Sequence, residues 1–106
     1  MRNEEFVQFL KSTLVKIENA VNLLERQNAP KHIPAYNKIL GVQQKLSGLG
    51  QEHKAQMFSQ LITTRSIINY FINGRYGDGY GQILKLRKEL TEICYRIEQS
   101  ERDKNI

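Results

Sequence analysis

The side chains with the widest chemical range are few: two histidines, His32 and His53, and one cysteine, Cys94, in 106 residues. A carboxylate-bridged metal pair in a helical bundle places a glutamate three residues before each histidine. Those positions hold Ala29 and Gly50, and no second ligand stands at a metal-binding spacing. Five residues separate Arg26 from His32, an Arg-to-His interval that some helical ribonucleases use. Pro30 interrupts it, so the two side chains do not project from one helix. Glu18 and Glu25 lie one heptad apart on the side opposite the apolar seam of their segment and read as solvated partners. Glu89 and Glu92 are flanked by Lys85 and Lys88, which favour the ionised form over a general acid. Cys94 has no histidine on its own segment to activate it, and a lone cysteine excludes an internal disulfide and fits a reducing, cytoplasmic setting. These residues point to a non-enzymatic chain with no metal or cofactor.

Charge is the stronger signal. The chain carries 16 Lys+Arg against 11 Asp+Glu, a net charge of +5 and a pI near 9.5, which favours acidic partners such as nucleic acid. Residues 1–30 are balanced, with four charges of each sign, whereas residues 31–88 hold nine basic side chains against Glu52 and Asp78. The rest of the chain is mildly acidic. Within the basic middle, Lys31, Lys38 and Lys45 repeat every seven residues and so fall on one side of a helix. A stripe of this kind can follow a phosphate backbone, releasing counterions as it binds. A plain solvated lysine face gives the same pattern.

Residues 73–81 read Asn-Gly-Arg-Tyr-Gly-Asp-Gly-Tyr-Gly, which suggests a connector richer in glycine than a helix-to-helix turn requires. Backbone N–H groups of a glycine-rich loop can turn towards an anion, and tyrosine beside arginine can stack on a base. The candidate nucleic-acid-binding set is therefore Lys31, Lys38, Lys45, Arg75, Tyr76, Tyr80, Lys85, Arg87 and Lys88. Without a Walker lysine or a preceding strand, the plainer reading is a flexible connector whose Asp78 caps the next helix.

The elements that position these residues are helical. Val7, Leu10, Leu14, Ile17, Val21 and Leu24 recur at intervals of 3 and 4, predicting a helix over 3–27. Pro34 suits the first turn of a second helix ending near Ser47, with Ile39, Val42, Leu46 and Leu49 on its seam. Ser47-Gly48-Leu49-Gly50 breaks the pattern. A third helix over 51–73 sets Met57, Leu61, Thr64, Ile68 and Phe71 on one seam. It leaves Phe58, Ile62, Ile67, Tyr70 and Ile72 off it, an apolar excess that predicts a second buried contact, most simply with another copy of the chain. The last helix, over 79–103, carries Ile83, Leu86, Leu90, Ile93 and Ile97, with Leu84 and Tyr95 outside that seam.

The expected fold is all-α, a single domain over 1–106 forming an antiparallel bundle of four helices, three long and the second shorter. No apolar stretch approaches the roughly 18 residues of a membrane span, and the acidic N-terminus lacks the pattern of a secretion signal. The layout is similar to that of small bacterial bundles such as bacteriocin immunity proteins and the helical subunits of nucleoprotein complexes, a likeness of size and pattern. The expected function is a binding module docking through residues 31–88 on nucleic acid or a nucleoprotein. The alternative is an immunity- or inhibitor-type protein partner bound through apolar surfaces of helices three and four.

Overall fold

Helices form wherever the apolar spacing of 3 and 4 runs unbroken, because one stripe of each can then be buried. The computed structural model describes residues 1–26 and 30–104, and all regular structure among them is helical. The helices are α1 (Asn3–Leu24), α2 (His32–Ser47), α3 (Gln51–Gln56), α4 (Phe58–Ile72) and α5 (Tyr76–Lys104). They build an all-α bundle of four longer helices plus the single short turn of α3. Gln27, where the first helix was expected to end, lies outside the described residues, as do Asn28, Ala29 and residues 105–106.

α1 packs against α2 and α5, and α4 packs against the same two. α1 and α4 therefore stand at opposite corners, as do α2 and α5. The seams meet in one continuous core that includes Leu10 and Ile17 of α1, Ile39 and Leu46 of α2, Ile67 and Ile68 of α4, and Ile83, Leu86 and Leu90 of α5. Buried hydroxyls stay satisfied within their own helices: Thr13 donates to the Phe9 carbonyl at 2.8 Å and Thr64 to that of Gln60 at 2.8 Å.

A ladder of polar contacts sets the register of α1 against α5. Tyr80 donates to Glu25 at 2.6 Å, Arg87 pairs with Glu18 at 3.1 Å, Lys11 with Glu98 at 3.4 Å, and Asn3 donates to Glu101 at 2.6 Å. Residue numbers rise along α5 as they fall along α1, so the two helices are antiparallel. Exposed pairs of this kind are screened by solvent and add little to stability, so they select the register more than they hold the fold. Glu18 and Glu25 are exposed, as their place opposite the apolar seam indicates, and each also reaches across to α5.

Two helices begin and end differently from the sequence expectation. α2 starts at His32, with Pro34 third in the helix, where its missing N–H is one of the donors a helix leaves unpaired anyway. The helix expected over 51–73 is divided at Met57 (φ −102°, ψ 16°). α3 buries none of its side chains, whereas Met57 is 1% exposed, so the chain turns where the apolar anchor enters the core.

The largest difference lies at residues 73–81. Only Asn73-Gly74-Arg75 forms a turn, and Gly77, Gly79 and Gly81 lie inside α5. Gly74, at φ +73°, is the one positive-φ residue among those described. Arg75 N–H donates to the Tyr70 carbonyl at 2.8 Å and Gly74 N–H to that of Phe71 at 3.1 Å, the paired bonds of a Schellman close. Asp78 sits in the first turn of α5, where a carboxylate favours the helix dipole, and pairs with Arg75 at 2.7 Å.

Gly79 explains why this glycine-rich stretch is helical. A Cβ there would lie 2.5 Å from Phe71 Cε1, so α4 and α5 approach more closely than any other residue allows. Gly79→Ala is expected to lower stability in urea unfolding by about 1–3 kcal/mol through overpacking. Gly81 has nothing within 4 Å of its Cβ position, so Gly81→Ala should raise stability by about 1 kcal/mol through helix propensity alone. A stabilising Gly79→Ala would contradict the close packing of the two helices.

Candidate functional site

The nine sequence candidates do not form one surface. Lys38 and Lys45 belong to α2, whereas Lys85, Arg87 and Lys88 belong to α5 at the opposite corner of the bundle. The basic residues of the middle of the chain are thus spread over several faces, with Lys54 on α3 and Arg65 on α4 besides.

On the α2 side the lysines line the seam with α1. Lys45 Nζ donates to Ser12 Oγ of α1 at 2.8 Å and lies 5.2 Å from the centroid of the Phe9 ring. Lys16 of α1 lays its stem over Gly41, whose Cβ position is 3.6 Å from Lys16 Cδ. A Cβ at 41 would meet that stem at ordinary van der Waals distance. Lys38 shares this flank, being three residues before Gly41 and seven before Lys45. Lys31 stands at the end of this seam as the residue before α2, its backbone N–H donating to the Leu23 carbonyl of α1 at 3.0 Å.

Lys16, Lys31, Lys38 and Lys45 thus follow one groove, and among the described residues none of them pairs with a carboxylate. Lys16 was absent from the sequence candidates because it lies in the charge-balanced first segment. Its signal was positional: it lies on the same flank as Phe9 and Ser12, off the Leu10–Ile17 seam.

The other candidates are engaged elsewhere. Arg75 holds Asp78 and lies 5.0 Å from the centroid of Tyr70, while Arg87 holds Glu18. The Tyr80 hydroxyl is committed to Glu25, and the hydrogen bond to that carboxylate, helped by partial burial and the Glu25 charge, raises its pKa above the usual phenol value. Tyr76 stacks on His32 with ring centroids 3.8 Å apart and planes 6° from parallel, and it meets Phe71 edge-on at 5.5 Å. Neither tyrosine extends from a loop. Lys85 and Lys88 remain exposed on α5.

The groups with catalytic potential stand apart from one another. Burial pushes the Cys94 thiol up, and the charge and hydrogen bond of Glu98 add to the shift, which keeps it protonated and unreactive at neutral pH. His53 packs on Phe6 at 4.4 Å between centroids, far along the chain from the His32–Tyr76 pair. Asn3 donates to Glu101 and lowers its pKa. Among the described residues no three His, Cys, Asp or Glu side chains converge as a metal site, and no helix is long and apolar enough to cross a membrane.

The apolar excess of the third segment splits in two. Ile67 is fully buried inside the monomer, whereas Phe58, Ile62 and Ile72 are exposed. On α5, Tyr95 is exposed and Leu84 packs partly against the core. Comparison of the chain with protein-family models, with curated proteins and with solved structures finds no match.

Proposed function

We propose that this chain is a non-enzymatic helical binding module that docks through Lys16, Lys31, Lys38 and Lys45 on the phosphate backbone of nucleic acid, free or within a nucleoprotein complex. The observation that carries this reading is the unpaired lysine row along the α1–α2 groove. The seven-residue repeat along α2 sets Lys31, Lys38 and Lys45 about 10 Å apart at 1.5 Å per residue, with Lys16 of α1 beside Gly41 between the last two. That interval equals the rise of about three base steps at roughly 3.4 Å each. Phosphates are recognised here as point charges by flexible lysines rather than by bidentate arginine forks, which suits backbone contact without sequence reading.

The arginines support the same division of labour, since Arg75 and Arg87 are taken up by carboxylates of the bundle itself. The test is a titration of nuclease-treated protein into labelled single- and double-stranded RNA and DNA at two salt concentrations. With four phosphates neutralised, affinity should fall roughly 50- to 150-fold between 50 and 200 mM salt. Absence of binding at the lower salt would sink the reading.

A further inference from the structure

α4 presents a second, chemically different surface on the flank of α2 that faces away from the lysine row. Phe58, Ile62 and Ile72 are 58%, 48% and 66% exposed, and with Arg65 and Asn69 they follow the 4, 3, 4, 3 spacing of one helix side. The stripe is about 21 Å long at 1.5 Å per residue. At its Ile72 end it opens into a cavity of about 330 Å³ lined by Ile33, Tyr36, Phe71 and the stacked His32–Tyr76 pair. Ile33, at the rim, is 75% exposed. Exposed apolar side chains gathered on one helix face, here broken only by Arg65 and Asn69, mark an interaction surface rather than scattered exposure.

Charge decides the occupant. Neither α2 nor α4 contains a carboxylate, and from Lys31 to Gly77 the only acidic residue is Glu52. We propose that the exposed face of α4, with the cavity it shares with α2 at Ile72, binds an acidic amphipathic helix of another protein. The apolar side of that helix rests on Phe58, Ile62 and Ile72, and its carboxylates face Arg65. This is helix-in-groove recognition, read by anchors at intervals of 3 and 4, with electrostatic complementarity setting the preference.

A second copy of this chain is the poorer fit. Residue 65 lies midway between 58 and 72, so a two-fold antiparallel pairing of α4 on α4 sets Arg65 against Arg65. A parallel two-fold pairing does the same, because each residue then faces its own counterpart. Neither arrangement supplies a carboxylate from α2 or α4. This face is independent of the lysine row: Tyr36 faces Phe71 of α4, while Lys45 reaches Ser12 of α1.

The test uses two synthetic helical peptides of about 18 residues with leucines at i, i+4, i+7 and i+11. The remaining positions are mostly alanine, with four glutamates in one peptide and four lysines in the other on the side opposite the leucines. In fluorescence anisotropy with the full chain, the glutamate peptide should saturate at one per chain and bind at least about tenfold tighter than the lysine peptide. Phe58→Ala with Ile62→Ala should weaken it about tenfold or more, and Arg65→Glu should invert the preference between the peptides. All three sites are exposed, and unchanged thermal melts establish that the variants fold. The Lys38→Gln, Lys45→Gln variant should bind the glutamate peptide as the parent does. Equal binding of both peptides overturns the proposal, as does loss of binding in the Lys38, Lys45 variant. Sedimentation as a dimer that Ile62→Lys dissociates would assign this face to a second copy and overturn the proposal as well.

Discussion

Replacing Lys16, Lys38 and Lys45 together with glutamate is expected to lower affinity for nucleic acid at low salt by about 100-fold or more, with little change in the fold. Each lysine that neutralises a phosphate contributes through counterion release, and reversal adds repulsion to that loss. The three side chains are half-buried along the α1–α2 groove, so shortening their stems costs some packing. Single partly exposed substitutions of this kind usually stay within about 0.5 kcal/mol, and a thermal melt of the variant checks that its helices remain paired. The matched control is Lys85→Glu with Lys88→Glu. Those residues sit on α5, diagonally opposite α2, and their loss should change affinity by less than about threefold, through the long-range field alone. A filter-binding or anisotropy titration of both variants separates the two faces.

Leu86→Ala is expected to destabilise the bundle by about 2–5 kcal/mol. Leu86 is fully buried at the centre of the long α5 seam, between Ile83 and Leu90, which are also fully buried. The lost side chain leaves a cavity that α5 cannot close without drawing its polar ladder out of register with α1. Domains of this size have a total stability of about 5–15 kcal/mol, so this one change removes a large share of it. Tyr95→Ala, on the same helix but 62% exposed, should stay within about 0.5 kcal/mol. Urea denaturation midpoints of the two variants, compared at constant m-value, read the difference.

Seams were legible because burial repeats with the helical period. Leu10, Ile17, Ile39, Leu46, Ile83, Leu86 and Leu90 all fall in the core that their spacing indicates. The turn at 73–81 was not legible, because glycine propensity points to a loop while packing decides otherwise. Close contact of Gly79 with Phe71 favours carrying α5 back to Tyr76 despite a cost of about 1 kcal/mol per interior glycine. Local preference lost to a tertiary contact whose partner, Phe71, lies outside the glycine-rich stretch 73–81.

The charge pattern failed to reveal the site for a related reason. A run of nine basic residues is a property of chain order, whereas an interface is a property of corners. Lys38 and Lys85 share the run and lie on opposite sides of the bundle. Lys16 lies outside the run and shares the groove with Lys45. Which cations remain unpaired also depended on distant partners: Arg87 meets Glu18 from 69 residues away, and Lys11 meets Glu98 from 87. The apolar excess of α4 was visible as an excess, but only the packing separates Ile67, which is buried, from Phe58, Ile62 and Ile72, which are not.

The most direct test of the lysine-row account is the slope of log affinity against log salt for the parent chain and two variants on the same RNA or DNA. One variant replaces Lys16, Lys31, Lys38 and Lys45 with glutamine, and the other replaces Lys85 and Lys88. A row of four phosphate contacts gives a parent slope of about −3 to −4, lower in magnitude on single strands. The four-lysine variant should show a slope near zero and the α5 variant the parent slope. A four-lysine variant that keeps the parent slope, or an α5 variant that loses it, would contradict the account.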